Sequence, residues 1–180
     1  MQKTKIEWCD YTWNPIKGMC QYACPYCYAR RIYRRFKWDP TPRLDEKELL
    51  APYKLKKPSK IFVCSTHEIF GYWIPDAWIR KIFKVIEENP QHTFQVLTKA
   101  PQRLLDISYF ESLRIPRNLW LGVTVADNAS FHRIYTLTGD AMNSEYYPKA
   151  IWKSPYKKIR WASFEPLLEK IWIDEIREEA

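Results

Sequence analysis

Five short runs rich in β-branched and aromatic residues alternate along this chain with longer stretches of helical periodicity. That alternation limits the fold more than any other feature. The runs lie within residues 6–13, at 60–64 (KIFVC), 93–97 (TFQVL), 119–125 (LWLGVTV) and 159–164. Residues 28–38 predict a helix that Asp39-Pro40-Thr41-Pro42 stops. Residues 75–88 predict another, with proline at its start and Ile79, Ile82, Phe83 and Ile86 recurring at helical spacing before Asn89-Pro90. Shorter helices are expected at 101–107 and 130–137, a polar loop at 138–157 and an acidic, helical end. Strands separated by helices pair in parallel through right-handed crossovers. The expected fold class is therefore α/β, as one domain over residues 1–180 forming an open or partial (β/α) barrel of about five to six parallel strands. A complete barrel takes about 250 residues, and this chain has 180.

Composition removes several function classes. Only four glycines are present, Gly18, Gly71, Gly122 and Gly139, and no two stand in G-x-G spacing. Dinucleotide-binding fingerprints and P-loops need several glycines to bring backbone against phosphate, so both are excluded. Lys and Arg total 29 against 21 Asp and Glu, a formal charge of +8 that favours an anionic partner such as nucleic acid. No run approaches the roughly 18 apolar residues of a membrane span. The start, MQKTKIEWCDY, is charged and lacks the apolar stretch of a secretory signal. The expectation is a cytoplasmic chain without membrane contact, whose five cysteines stay free or bind metal.

In a barrel of this kind, chemistry gathers at the carboxyl ends of the strands. Every such end here is polar. Ser65, Thr98, Thr124, Asn128, Ser163 and Glu165 are candidates for a cofactor or substrate pocket from position alone. Cys64 ends a buried run. It is either a small buried apolar group or a thiol facing the cofactor and able to give a hydrogen atom to a product radical. His67 and His92 suit structural roles.

The informative segment is Cys20-Gln-Tyr-Ala-Cys24-Pro-Tyr-Cys27, a C-x3-C-x2-C. Three thiolates on one short loop can converge on a metal centre. A fourth would close a zinc site or saturate a cubane, whereas three leave one iron of a [4Fe–4S] cluster open to a non-protein ligand. Tyr26, just before the last cysteine, is placed to shield such a cluster. With Cys9 or Cys64 as fourth ligand, the same loop would close a structural zinc site in a non-catalytic nucleic-acid-binding module.

The predicted helix after this loop carries Arg30, Arg31, Arg34, Arg35 and Lys37, interleaved with Tyr28, Tyr33, Phe36 and Trp38. Like charges at i,i+4 cost a few tenths of a kcal/mol unless an anion offsets them. Basic groups beside stacking rings suit a nucleic-acid strand. The alternative is a solvated basic face whose aromatics pack inward.

The C-x3-C-x-aromatic-C loop after a first strand resembles the signature of the radical S-adenosylmethionine (SAM) superfamily. The resemblance implies that Cys20, Cys24 and Cys27 hold three irons of a [4Fe–4S] cluster, that SAM chelates the fourth, and that an external electron donor drives cleavage to a 5′-deoxyadenosyl radical. Thr4-Lys-Ile-Glu-Trp8, Thr12-Trp-Asn-Pro15, residues 91–99 (QHTFQVLTK), Leu119-Trp-Leu-Gly-Val123 and residues 163–168 (SFEPLL) look like a phage-borne radical SAM-like family of unknown function. Residues 14–30 are also similar to the cluster loop of spore photoproduct lyase, which acts on a DNA lesion. Two departures stand out. The superfamily's motif of two glycines and a glutamate after the second strand is replaced by Cys64-Ser-Thr-His67, and little chain follows the SFEPLL block. The second departure leaves two expectations open: the last barrel unit is missing, or a partner or second subunit supplies it.

Overall fold

The computed structural model describes residues 1–110, 113–138 and 160–164. In chain order the strands are β1 (Gln2–Lys3), β2 (Tyr11–Trp13), β3 (Ile16–Lys17), β4 (Arg43–Leu44), β5 (Lys60–Val63), β6 (Thr93–Thr98), β7 (Leu119–Thr124) and β8 (Arg160–Ser163). The helices are α1 (Tyr28–Phe36), α2 (Glu46–Leu49), α3 (Asp76–Glu87), α4 (Pro101–Phe110) and α5 (His132–Thr138). A six-stranded sheet runs in the order β1-β2-β5-β6-β7-β8, and β3 pairs with β4 apart from it. Strands β2, β5, β6, β7 and β8 are mutually parallel. The α/β class and the parallel sheet expected from the alternating pattern are therefore present.

Two features depart from the all-parallel expectation. Strand β1 runs antiparallel to β2, with Gln2 opposite Thr12. The connection between them is too short for a parallel crossover, which needs about a dozen residues, so only a hairpin-like return fits. The β3–β4 ribbon, with Ile16 opposite Leu44, brackets the cysteine loop and α1. The polar loop at 139–157 and the acidic end lie outside the described residues.

The sheet's two faces follow from the period of two along each strand. One row holds Trp13, Ile61, Val63, Phe94, Val96, Leu119, Leu121 and Val123, all at most 1% exposed. It joins Ile79, Ile82, Phe83 and Ile86 of α3 and Leu104 of α4 in one buried core. These α3 residues sit at i, i+3, i+4 and i+7, so the helix presents one apolar stripe. Burying each such side chain contributes about 1.5–3 kcal/mol. The registers Phe62 with Gln95, Leu97 with Gly122 and Gly122 with Trp161 place these residues on the other row. Gly122 is required there by packing: a Cβ would lie 2.7 Å from the Trp161 indole.

Helix α1 stops two residues before its expected end. Lys37 takes a left-handed backbone at φ 50°, and the Lys37 and Trp38 amides bond back to Arg34 and Tyr33 carbonyls. Among the described residues no helix is long and apolar enough to cross a membrane.

Candidate functional site

A cavity of about 610 Å³ opens at the carboxyl ends of the parallel strands, and Cys20, Cys24 and Cys27 all line it. The loop that carries them is fixed at both ends. At its start Gly18 adopts φ 101°, a conformation open to glycine. The Gly18 amide donates to the Tyr33 hydroxyl at 2.8 Å, and its carbonyl accepts from His67 Nδ1 at 3.3 Å. At its end Cys27 is the N-cap of α1, and its Sγ accepts the Arg30 amide at 3.5 Å. Burial pushes the Cys20 thiol up.

The most connected group in the cavity is one the sequence reading did not single out. Glu68 is buried, and burial raises its carboxyl despite bonds that favour the charged form. Its Oε1 accepts from Thr98 Oγ1 at 2.7 Å and from the Phe70 amide at 3.1 Å; its Oε2 accepts from the Lys99 amide at 2.7 Å. The Lys99 ammonium turns the other way, donating to Cys24 Sγ at 3.1 Å and to the Tyr26 hydroxyl at 2.9 Å. Burial alone would lower the Lys99 amine, but the bonds to Tyr26 and Cys24 prevail and raise it.

Of the predicted pocket residues, Tyr26, Cys64, Ser65, Thr124 and Ser163 line this cavity. Cys64 is buried at a left-handed φ of 55°, with its amide on the Trp13 carbonyl at 2.8 Å. Burial pushes its thiol up to about 12, so it stays protonated at neutral pH. The Ser65 hydroxyl donates to Asn14 Oδ1 at 3.2 Å. Thr98 stands on the Phe94–Val96 row of β6, where its hydroxyl donates to Glu68, and does not line the cavity. Asn128 stands exposed on a 3-10 turn (Asn128–Ser130) and is not among the residues that line the cavity. Glu165 lies outside the described residues.

The basic group on α1 divides. Arg30 lines the cavity and donates from Nη2 to the Cys20 carbonyl at 3.3 Å, so it leaves the outward set. Arg31, Arg34, Arg35 and Lys37 are exposed. Beside them Phe36 and Trp38 stack at 5.5 Å, each more than half exposed. These two aromatics face out rather than in. His67 is structural: Nε2 accepts from Trp73 Nε1 at 3.0 Å, so a neutral ring carries its proton on Nδ1 toward Gly18. His92 is also buried.

Among the described residues, no group of three or more His, Cys, Asp or Glu side chains is arranged to hold a single metal ion. Cys20, Cys24 and Cys27 nonetheless line one cavity of about 610 Å³, and cysteine thiolates are the usual ligands of iron–sulfur clusters. Donor chemistry and space both fit an iron–sulfur cluster.

A family model described as protein of unknown function (DUF5131) matches residues 3–177, and the chain belongs to that family. Uncharacterized protein MJ0683 of Methanocaldococcus jannaschii is 30% identical over 128 residues. That match covers 68% of this chain and 46% of the relative, so the chain spans less than half the length of the curated relative it matches. No solved structure gives a significant match.

Proposed function

We propose that this family member is a radical SAM iron–sulfur enzyme that acts on a nucleic acid or nucleotide. The observation that carries the reading is the meeting of Cys20, Cys24 and Cys27 in one cavity at the carboxyl ends of a parallel sheet. In this reading the three thiolates hold a [4Fe–4S] cluster and Tyr26 packs beside it. When bound and reduced by an external donor, the cluster supplies the electron that cleaves SAM to a 5′-deoxyadenosyl radical. The chain's own residues bind and shield. The Ser65, Thr124 and Ser163 hydroxyls and the Glu68 carboxylate offer polar contacts on the cavity wall. The protonated Cys64 thiol faces the same space and holds a hydrogen atom within it. The proposed place of work is the reducing cytoplasm, where such thiols stay free for metal.

The finer architecture belongs to the same proposal. Strands β2 and β8 are four ladder steps apart, roughly 19 Å in a flat sheet. Yet the rings of Trp8, just before β2, and Trp161 of β8 lie 5.1 Å apart. That approach supports a sheet curled into an open barrel, whose open side would take substrate or a partner chain. The exposed Arg31, Arg34, Arg35 and Lys37 beside the Phe36–Trp38 stack support an anionic, base-bearing substrate.

Purification without oxygen, a visible spectrum and metal analysis test the core claim. A brown protein with about four irons that reductant bleaches supports the cluster. Incubation with SAM and dithionite then releases 5′-deoxyadenosine. A colourless protein with one zinc sinks the enzyme and favours the zinc-stabilised binding module. Absence of salt-dependent oligonucleotide binding at low ionic strength removes the nucleic-acid substrate.

A further inference from the structure

Lys99 is held in an unusual division of labour. Its backbone amide is gripped by Glu68 Oε2 at 2.7 Å, while its ammonium passes the carboxylate by and donates to Cys24 Sγ at 3.1 Å. Glu68 is itself immobilised by Thr98 and Phe70. A second bond, to the Tyr26 hydroxyl at 2.9 Å, aims the ammonium. Of the three loop cysteines, Cys24 accepts this cation and Cys27 accepts a backbone amide. The three sulfurs are therefore electrostatically unequal before any metal is considered.

A donor on a ligating sulfur withdraws electron density from it, and a positive charge beside it favours the more reduced, more negative state. We infer that Lys99 is a positioning residue that raises the reduction potential of the centre through Cys24, with Glu68 fixing the backbone from which it reaches. This inference rests on the cluster reading above. It makes the strand end after β6 part of the redox control of the site, and it assigns the buried Glu68 a purpose in holding that strand end.

The test uses the anaerobically reconstituted full chain, an iron count and a dithionite titration followed by electron paramagnetic resonance. Lys99→Met is expected to bind as much iron as the unaltered protein. At a fixed potential its reduced-to-oxidised ratio should be at least tenfold smaller, about 59 mV for one electron. Lys99→Arg, which keeps a cationic donor, should lie closer to the unaltered protein. Full iron in Lys99→Met with an unchanged potential overturns the inference and leaves the cluster reading standing. If Lys99→Met does not load, Lys99→Gln takes its place under the same criterion. Loss of iron in both, with unaltered circular dichroism, makes Lys99 an assembly residue and also overturns the inference. An unaltered protein that takes up no iron overturns the cluster reading and this inference with it.

Discussion

Replacing Gly18 by alanine tests whether the cysteine loop is held from its base. Gly18 sits at φ 101°, and a Cβ there would lie 2.4 Å from the Thr41 carbonyl oxygen and 2.7 Å from Pro42 Cα. The three nearest atoms are all backbone, so no side chain swinging aside relieves them. Ordinary contact begins near 3.4 Å, so the loop and residues 41–42 must part by about 1 Å in a tightly packed region. The left-handed backbone costs an alanine about 1–2 kcal/mol, and overpacking adds about 1–3 kcal/mol. Parting also pulls on the bonds from Gly18 to Tyr33 and His67. The expected loss is about 3 kcal/mol, a large share of a typical total of about 5–15 kcal/mol. Urea unfolding followed by circular dichroism measures it, with an unchanged slope showing that the unfolded state is not responsible. A loss below about 1 kcal/mol at constant slope would refute the contact argument, because the strained φ alone should exceed that.

Other perturbations read other parts of the molecule. The three atoms nearest a Cβ at Gly122 all belong to the Trp161 side chain, so Gly122→Ala should cost about 1 kcal/mol and shift tryptophan emission as the indole moves. Burial lowers the His67 imidazole below its usual 6.5. The unfolded chain therefore takes up a proton first as pH falls through 6.5, and stability should drop below that pH and level off once the folded ring protonates. His67→Gln should give a flatter stability curve over the same window. Replacing Arg31, Arg34 and Arg35 by Gln should lower the slope of log affinity against log salt by about 0.7 for each lost single-strand phosphate contact; an unchanged slope moves the strand elsewhere. Asp45 caps α2 by accepting from the Lys47 and Glu48 amides, so Asp45→Ala should cost about 1 kcal/mol in thermal unfolding.

The long elements were legible because their patterns are physical. Strands buried on a parallel sheet read as apolar runs, and α3 carries its stripe in plain order. Strands β1, β3 and β4 are two residues each, too short for any period to show. The cysteine loop announced itself by spacing. Glu68 did not, since a carboxylate following Ser65-Thr66-His67 reads as a polar turn. Its available signal was the apolar Ile69-Phe70 that follows, which draws the turn inside. A strand end is not a point, and the row on which Thr98 falls follows from the period of two along β6. Alternation from Leu97 to Lys99 already puts Thr98 on the opposite row. Arg30 was grouped with its neighbours by charge, whereas its place in the first turn of α1 directs it to the loop.

Cys27 closes the loop and opens the helix with one atom. The sulfur that accepts the Arg30 amide also belongs to the three-thiol set. In the proposed reading, a centre bound to it would feel the positive end of that helix. The outward basic face, in turn, starts from wherever that sulfur is held. If the cluster and an anionic strand both bind as proposed, each would favour its own placing of Cys27, and by reciprocity the two affinities would be linked.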